Sequence, residues 1–369
     1  MGFGGKLKKQ TVDLLLLIAI ITIAIFGVIM IYSASYIWAE YKFDDPFKFV
    51  KHQALFLAIG MILLYVVSKI NYYAYFDNAN LLLLGCIILL ILVLIPGIGT
   101  IRNGSRSWFG IGSFGIQPSE FTKLALLIFT SKYLAKNIKD IKDIRKGVLP
   151  VIGLTLLIFG LIMLQPDFGT GTILVMSIMG LLFISGVKFS FFTRIGMVGI
   201  LGVIGLIIAA PYRVARILSF LNPWKDPLGS GFQIIQSLYA IGPGGLFGFG
   251  FGNSRQKHFY LPEPQTDFIF SIISEEFGFM GVIIVSTLFL IIIIKGFQIA
   301  RNCKDLFGKF LVSGIIFGLS FQTVLNLMVV VGLIPVTGVT LPFLSYGGSS
   351  LLITLISMGI VLNVSRYQK

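Results

Sequence analysis

Charged residues are scarce in this chain, and their scarcity bounds its class. Asp, Glu, Lys and Arg make up 12% of the 369 residues, whereas 56% of the residues are hydrophobic. A soluble domain carries about 25% charged residues, so the composition excludes an ordinary soluble protein. The apolar stretches are continuous rather than alternating, which argues against the short segments of a β-barrel and favours membrane-spanning helices.

Cysteine and histidine are also rare, with two of each. Cys86 falls in a predicted membrane segment and Cys303 in a predicted cytoplasmic loop, so we do not expect a disulfide between them. His52 and His258 are isolated, which gives little support to a histidine-based metal site or a Ser-His-Asp triad. The sequence therefore predicts no cofactor with certainty, although a divalent cation is compatible with the chemistry considered below.

About ten apolar runs approach the roughly 20 residues that a membrane-spanning helix needs. They predict an all-α polytopic membrane protein with ten transmembrane helices. The first run follows Lys6, Lys8 and Lys9 in the manner of a signal peptide, but it is longer than the roughly 7–15 residues of a cleaved apolar region, so we expect a retained helix. The predicted spans lie near residues 14–34, 52–69, 78–96, 118–135, 147–165, 169–186, 190–210, 267–294, 309–333 and 346–364.

The chain has a net charge of +14, but the distribution of the basic residues argues against nucleic acid as a partner. If ten helices alternate from a cytoplasmic N-terminus, most Lys and Arg residues fall on the inner side, in loops such as 132–146 and 295–309. This is the positive-inside pattern of membrane proteins. It predicts that both termini are cytoplasmic.

This topology leaves three polar segments on the outer side: residues 97–117, rich in Gly, Ser and Arg, residues 211–266, and residues 334–349. Residues 211–266 form a long extracytoplasmic loop between helices 7 and 8. Loops longer than about 15 residues are usually functional or disordered. Because this loop has aromatic residues that can bury area, we expect it to be ordered. The whole chain, residues 1–369, is predicted to be a single membrane domain.

The junction between this loop and helix 8 carries the strongest candidate for chemistry, Asp267. In a helix that starts there, Ser271 and Ser274 would share its face. The purely structural alternative is that Thr266 or Asp267 caps the first turn of the helix.

The charges around Asp267 predict its height above the membrane. The charge-free stretch 277–294 is nearly long enough to span the hydrocarbon, so we expect Glu275 and Glu276 to mark the outer interface. Asp267 would then project about 12 Å beyond that interface. A carboxylate in this position would meet the head group of a lipid-linked substrate.

The start of helix 4 carries a second candidate, where Pro118 and Glu120 are typical of a first helical turn. Lys123 lies three residues after Glu120 and hence on the same face. The apolar stretch that follows is too short to span alone, so both ionisable residues fall near the outer boundary, where such residues face a cavity or pair with each other. The alternatives are the wall of an outward-opening cavity and a structural ion pair. Asp167, in a short outer turn, is either a helix cap or a cavity residue.

Basic and aromatic residues share the outer side. Guanidinium groups match phosphate oxygens in bidentate geometry, so these residues could hold a pyrophosphate or simply attract lipid head groups. Trp108 and Trp224 could stack on sugar rings or belong to an interfacial belt. The glycine-rich run 242–252 lacks the Lys-Ser/Thr of a phosphate-binding loop, so we expect it to pack close to a helix or substrate. The basic residues are Arg102, Arg106, Arg213, Arg216, Lys225, Arg255 and Lys257.

Several motifs follow one another along nearly the whole chain. They are Trp108, Gln117-Pro118-Ser119-Glu120, Gln165-Pro166-Asp167, Gly231-Phe232-Gln233, Gln236-Ser237, the glycine-rich run, Ser254-Arg255-Gln256-Lys257, Tyr260-Leu261-Pro262-Glu263, Thr266-Asp267-Phe268-Ile269-Phe270, Glu275-Glu276-Phe277-Gly278 and Pro342-Phe343-Leu344-Ser345-Tyr346-Gly347-Gly348-Ser349. In this order they resemble the SEDS family of bacterial membrane proteins (shape, elongation, division, sporulation), whose members have ten helices. The residues in these motifs resemble those of the FtsW and SpoVE branch more than those of RodA.

The resemblance implies a peptidoglycan glycosyltransferase that polymerises lipid II into a lipid-linked glycan outside the cytoplasmic membrane. It implies a class B penicillin-binding transpeptidase as partner, beside other division, elongation or sporulation proteins. It maps the family's essential aspartate onto Asp267, its loop tryptophan onto Trp108, and its cavity Glu and Lys onto Glu120 and Lys123. Further substrate-binding or cavity candidates are Asp167, Arg102, Arg106, Arg213, Gln233, Ser237, Arg255, Lys257, Glu263, Thr266, Ser271 and Ser345.

The chemistry of glycan extension agrees with this assignment. The donor sugar carries a pyrophosphate, a good leaving group that needs charge neutralisation by basic residues or a divalent cation. The acceptor hydroxyl is a weak nucleophile and needs a base, for which we choose Asp267. A single displacement inverts the anomeric centre, by analogy with inverting glycosidases. Two alternatives stay open: a flippase, which would place polar groups near the membrane midplane, and a non-catalytic scaffold, in which Asp267 would be dispensable.

Overall fold

The computed structural model describes residues 11–102, 104–110, 115–208, 214, 220–229 and 231–368, with the backbone alone at 203, 206 and 207. Within these ranges the protein is helical, with one small hairpin of antiparallel strands β1 (Thr100–Arg102) and β2 (Ser105–Trp108). The helices are α1 (Leu14–Phe43), α2 (Lys48–Lys69), α3 (Tyr73–Leu92), α4 (Pro118–Lys136), α5 (Leu149–Met163), α6 (Phe168–Ile184), α7 (Phe189–Ile208), α8 (Phe232–Ile241), α9 (Ile269–Asn302), α10 (Leu306–Val330) and α11 (Gly348–Ser365).

Seven helical segments are long and apolar enough to span a membrane: α1, α2, α3, the segment Ile144–Met163 that contains α5, α9, α10 and α11. The helix α6 and the first part of α7, Phe189–Gly202, are shorter apolar helices. The protein is therefore an all-helical, multi-pass membrane protein. Each of the ten predicted spans coincides with a helix, whereas length and apolarity support seven of them. The charged side chains of α4 are Glu120, Lys123, Lys132 and Lys136.

Glycines let the helices approach one another closely, which stabilises helix packing in a membrane. The helices α2 and α11 pack along each other, and a Cβ built on Gly359 of α11 would lie 2.9 Å from the carbonyl oxygen of Leu64 in α2. On α1, a Cβ built on Gly27 would lie 2.4 Å from the carbonyl oxygen of Phe343. Glycine at these two positions thus fixes α2 against α11, and α1 against the segment before α11.

The helix α9 is interrupted at Gly278, whose φ of 62° and ψ of −156° are not helical. Only glycine adopts this region without strain. Such a break frees backbone groups that must find other partners, and the glycine-rich run supplies them through hydrogen bonds of 2.9–3.0 Å. The bonds run from Phe249 N to Glu275 O, from Gly250 N to Glu276 O, from Phe279 N to Gly245 O and from Met280 N to Leu246 O.

The break has two consequences for the predictions. The span predicted near 267–294 coincides with α9, which begins at Ile269, and the sequence did not indicate its break at Gly278. The expectation that the glycine-rich run packs close to a helix is confirmed. A Cβ built on Gly248 would lie 2.3 Å from the carbonyl carbon of Glu276, so the two backbones are in direct contact.

Residues 331–347, which we name the α10–α11 strap, connect α10 to α11. Between 335 and 341 the strap has no regular secondary structure, so side chains from other elements hold it in place. The buried Gln53 of α2 donates from Nε2 to the carbonyl oxygen of Ser345 at 3.2 Å and accepts from the Gly347 N–H at 3.2 Å. The Tyr346 N–H donates to the carbonyl oxygen of Gln265 at 2.8 Å, which joins the strap to the segment before α9.

Candidate functional site

Asp267 lies directly before α9, and its side chain is half-buried. The N-cap position of α9 is occupied by Phe268, which makes no side-chain cap. The Thr266 hydroxyl donates to the carbonyl oxygen of Glu263 at 2.8 Å, within the turn that precedes the helix. The aspartate is therefore carried by the end of the long loop and held at the head of α9, two residues before the helix begins.

The carboxylate of Asp267 faces the α10–α11 strap. A Cβ built on Gly338 of the strap would lie 3.8 Å from Asp267 Oδ2. The buried Asn326 of α10 donates from Nδ2 to the carbonyl oxygen of Asp267 at 2.8 Å and to that of Val339 at 2.7 Å. One side-chain amide thus joins the backbone of Asp267 to the strap that its carboxylate faces.

Glu120 and Lys123 form an ion pair with an Oε1–Nζ distance of 2.9 Å, and both side chains are about 90% buried, at 8% and 11% exposure. The pair lines a crevice between α4, α6, α10 and α11, whose empty volume, including its open mouth, is about 510 Å³. Lys123 Nζ donates to Gln322 Oε1 at 3.5 Å, and Gln322 Nε2 donates to the carbonyl oxygen of Thr340 at 2.9 Å. Glu120 and Lys123 thus form an ion pair and also line a crevice, and the pair reaches the same strap as Asp267.

The first turns of α4, α6 and α11 meet beside this crevice. Asp167 caps α6 by accepting from the Thr170 N–H at 3.1 Å, and its other oxygen accepts from Gln117 Nε2 at 2.8 Å. The Gln117 N–H donates to Ser349 Oγ at 3.1 Å. Burial, reinforced by Glu120, raises the pKa of Asp167 above its ordinary value. Because each helix N-terminus carries partial positive charge, three of them together favour an anionic ligand.

The β1–β2 hairpin adjoins the same cluster. The guanidinium carbon of Arg102 lies 4.9 Å from the centre of the Trp108 ring. Gly115 packs against the Arg102 guanidinium, and its carbonyl oxygen accepts from Ser349 Oγ at 3.1 Å. Arg106, on the other strand, donates to a backbone carbonyl beyond the end of α3 at 3.4 Å. Arg102 and Trp108 are therefore close to the α4–α6–α11 junction, whereas Arg106 holds the hairpin to α3.

Glu275 and Glu276 are buried within the protein, at 1% and 0% exposure, and the expectation that they lie at the level of the outer interface stays a prediction. Glu276 Oε1 lies 2.9 Å from Lys257 Nζ and accepts from the Ser33 hydroxyl at 2.6 Å. Glu275 Oε1 accepts from the Arg255 N–H at 2.8 Å. The two carboxylates anchor residues 254–257 to α9. Lys257 therefore neutralises a buried carboxylate and is closed to a phosphate in this structure.

The remaining predicted site residues that the structure describes fall into a buried group and an exposed or half-buried group. The hydroxyls of Ser237 and Ser271 are buried 2.8 Å apart between α8 and α9, and Ser345 Oγ accepts from the Leu341 N–H inside the strap. The predicted helical face of Asp267 with Ser271 and Ser274 does not form, because Asp267 precedes the helix and both serines are buried. Arg255 and Glu263 are exposed, and Gln233 is half-buried on α8. Arg213 and Arg216 lie outside the described residues.

Four residues that the structure places near the site were missed in the sequence: Ser33, Gln53, Gln322 and Asn326. A signal existed for two of them. Gln322 and Asn326 are large polar residues one turn apart within an otherwise apolar run, and polar side chains inside a membrane helix mark functional or interhelical contacts. Ser33 and Gln53 have no comparable sequence signal. Among the described residues, no group of three or more His, Cys, Asp or Glu side chains could hold a metal ion, and both cysteines are free.

Comparison with known proteins gives consistent relatives over the full length. A family model described as cell cycle protein, covering FtsW, RodA and SpoVE, matches residues 13–369. Stage V sporulation protein E of Bacillus subtilis is 53% identical over 98% of this chain and 99% of its own length. A probable peptidoglycan glycosyltransferase FtsW of Trichlorobacter lovleyi is 43% identical over 96% of this chain and 93% of its own.

Solved structures with the same fold are also found. A chain from work on the structural coordination of polymerization and crosslinking by a peptidoglycan synthase complex has a TM-score of 0.77 and 33% identity, covering 97% of this chain and 99% of its own. The rod shape determining protein RodA of Thermus thermophilus has a TM-score of 0.71 and 31% identity, covering 97% and 98%.

Proposed function

This chain belongs to the FtsW, RodA and SpoVE family of cell cycle proteins, and from that membership we propose that it is a peptidoglycan glycosyltransferase with Asp267 as its base. Relatives that are named peptidoglycan glycosyltransferase cover nearly the whole chain. The substrate we assign is lipid II, polymerised into a lipid-linked glycan. The observation that carries the proposal is the half-buried Asp267 carboxylate at the head of α9, which faces the same strap as the Glu120–Lys123 crevice.

The role of Asp267 follows from the reaction. The acceptor sugar hydroxyl attacks the anomeric carbon of the donor, the bond from that carbon to the pyrophosphate oxygen breaks, and the hydroxyl proton passes to a base. A carboxylate within hydrogen-bond reach of that hydroxyl serves as the base. One displacement inverts the anomeric configuration, and no covalent sugar intermediate is needed.

The pyrophosphate leaving group needs positive charge rather than a proton. The joined first turns of α4, α6 and α11 supply partial positive charge, and Lys123 lines the crevice beside them. Arg102, stacked on Trp108 next to the same junction, is the nearest guanidinium on the hairpin. A divalent cation would add positive charge for the leaving group, and Asp267 or Asp167 would be the carboxylate that holds it.

We place the protein in the bacterial cytoplasmic membrane with all ten longer helices crossing it and both termini in the cytoplasm. The partners we assign are a class B penicillin-binding transpeptidase, which would cross-link the glycan, and further division, elongation or sporulation proteins. One structural relative comes from a complex that couples polymerization to crosslinking, which supports a crosslinking partner here.

A flippase for the lipid-linked precursor is the competing function. It would require polar groups along a path through the membrane. Glu120 and Lys123 are the two charged side chains that line the crevice, and the rest of its described lining is apolar or uncharged, with Leu127, Ile315 and Met358 among it. This distribution favours chemistry at one face over transport through the molecule.

The test is polymer synthesis by purified protein. Wild type with its transpeptidase partner is given lipid II, and glycan polymer is measured beside Asp267→Ala and Asp267→Asn. We expect polymer from the wild type and at least a 100-fold loss in both variants, because general base catalysis contributes about 10²–10⁴-fold. Normal polymer from either folded variant would remove Asp267 as the base. Movement of lipid II between leaflets without polymer in the wild type would favour the flippase.

A further inference from the structure

We infer that Asn326 is a positioning residue for the reaction, which sets the distance between the Asp267 carboxylate and the α10–α11 strap. The inference rests on the proposed role of Asp267 as the base. Asn326 lies on α10, one turn before the helix ends, and its side chain is fully buried. It reaches Asp267 through the backbone and not through the reacting carboxylate.

The orientation of the Asn326 amide is fixed by its partners. Its nitrogen lies 2.8 Å from the carbonyl oxygen of Asp267 and 2.7 Å from that of Val339. Carbonyl oxygens only accept hydrogen bonds, so the NH₂ group must face both of them. The two hydrogens of one nitrogen therefore tie two chain segments that are 72 positions apart in sequence, from 267 to 339.

These two segments form the immediate surroundings of the carboxylate. Val339 directly follows Gly338, and a Cβ on Gly338 would lie 3.8 Å from Asp267 Oδ2. The strap between 335 and 341 has no helix or strand of its own. The backbone hydrogen bond from Tyr346 to Gln265 joins the C-terminal end of the strap to the segment before α9, and the Asn326 side chain joins the middle of the strap, at Val339, directly to Asp267.

A neighbouring amide shows what is particular to Asn326. Gln322 lies one turn earlier on α10, and its Nε2 donates to the carbonyl oxygen of Thr340 in the same strap. Its Oε1, however, accepts a hydrogen bond from the Lys123 ammonium. Residues four apart lie on one helix face, so α10 presents two amides to the strap. Gln322 links the strap to the ion pair, and Asn326 links it to Asp267.

The place of these two hydrogen bonds connects the amide at 326 to the reaction. Both hydrogens of its NH₂ group are used, one at the backbone of Asp267 and one at the strap beside Gly338. A shift of the strap at this point would move the base relative to a substrate.

The experiment compares kinetic constants of folded variants. Asn326→Leu and Asn326→Asp keep the size of the side chain and remove the NH₂ donor, whereas Asn326→Gln keeps the donor on a longer stem. Thr323→Val is the matched control on the same helix, because among the described residues the buried Thr323 hydroxyl bonds only to its own helix, at the carbonyl oxygen of Leu319. Initial rates of glycan polymerisation are measured against lipid II concentration, and thermal unfolding gives the folded fraction.

We expect kcat to fall about 100-fold in Asn326→Leu and Asn326→Asp, the effect of a misplacement of roughly 1 Å, with KM for lipid II within about threefold of wild type. Asn326→Gln should recover part of kcat, and Thr323→Val should keep it. A merely structural role predicts rates that fall only with the folded fraction, and that result would overturn the inference. If Asn326→Leu and Asn326→Asp do not fold, Asn326→Ala, which removes the whole amide, carries the test, and wild-type kcat in its folded fraction would overturn the inference.

Asp267→Ala separates this inference from the proposed function. If Asp267→Ala polymerises normally, the proposed function fails. If Asp267→Ala is inactive while the folded Asn326 variants keep wild-type kcat, the role of Asp267 as the base is supported and the positioning role of Asn326 is wrong.

Discussion

The ion pair of Lys257 and Glu276 has both side chains fully buried, at 0% exposure. Burying two ions costs several kcal/mol each, and only close geometry with further hydrogen bonds offsets that cost. Ser33 donates to both oxygens of Glu276, at 2.6 and 2.8 Å, and the Ser254 N–H donates at 3.3 Å. At the residue scale, this pair fixes the loop 254–257 to α9 and α1.

Removal of one partner should therefore destabilise the protein more than removal of both. We expect Lys257→Met or Glu276→Gln alone to cost about 3–5 kcal/mol, because each leaves a buried polar or charged group without its partner. The double variant should lose less than the sum of the two. Thermal unfolding of the solubilised protein measures these differences.

An exposed ion pair provides the control for this cycle. Lys51 and Asp45 are 3.0 Å apart, with side chains 65% and 36% exposed, and such pairs contribute at most about 1 kcal/mol. Lys51→Met should therefore leave the unfolding temperature nearly unchanged. Additive losses in the Lys257 and Glu276 variants would show that the buried pair is not coupled.

The sequence predicted the ionisable residues of the site but not their partners. Asp267, Glu120 and Lys123 were found because charge is rare here and each stood at the edge of an apolar run. Ser33 and Glu276 are 243 positions apart, and neither the spacing nor the composition of the sequence indicates that they meet. Lys257 shows the same limit, since its charge was visible in the sequence and its burial in an ion pair was not.

At the scale of elements, the break at Gly278 divides α9 into a short N-terminal part, residues 269–277, which follows Asp267, and a long C-terminal part, residues 279–302. The glycine-rich run fills the break with four backbone hydrogen bonds. The N-terminal part of α9 is thus held both by the glycine-rich run and by the C-terminal part of the helix. The position of Asp267 therefore depends on the geometry at Gly278.

Gly278→Ala should disturb this junction. Its φ of 62° with ψ of −156° is unfavourable for any residue with a Cβ, and that Cβ would lie 2.4 Å from the Gly248 nitrogen. We expect a loss of about 1–3 kcal/mol in stability from the backbone strain, together with reduced polymerisation. Thermal unfolding and initial rates on the same preparation measure both effects.

Gly85→Ala in α3 is the matched control, because a Cβ there meets nothing within 4 Å. Alanine is the better helix former, so this variant should be as stable as wild type or more so. If Gly278→Ala behaves like Gly85→Ala, the break at 278 is not needed for the fold.

Element positions were largely predictable and the break was not. Long apolar runs located ten helices, because a membrane helix must satisfy its backbone internally. The break at Gly278 left no mark in such a run, since glycine is common in membrane helices. The strap was visible only as a polar segment, because its path depends on amides from α2 and α10.

On the scale of the whole molecule, the direction of the helices decides where Asp267 meets its substrate. With a cytoplasmic N-terminus and ten crossings, the loop before α9 lies outside and the loop between α9 and α10 lies inside. Leu228, 87% exposed in the long loop, and Lys304, exposed after α9, report on the two sides. The native thiols interfere little, because Cys86 lies in a membrane helix and burial raises the pKa of Cys303 to about 12.

Single-cysteine labelling on intact cells tests this topology. In a background with Cys86→Ala and Cys303→Ala that retains activity, we expect a membrane-impermeant maleimide to label Leu228→Cys directly. Lys304→Cys should be labelled only after permeabilisation, because the reagent cannot cross the bilayer. Labelling of Lys304→Cys in intact cells, with Leu228→Cys protected, would show that Asp267 faces the cytoplasm. A polymerase that works outside the membrane would then be impossible, since its base would face the wrong compartment.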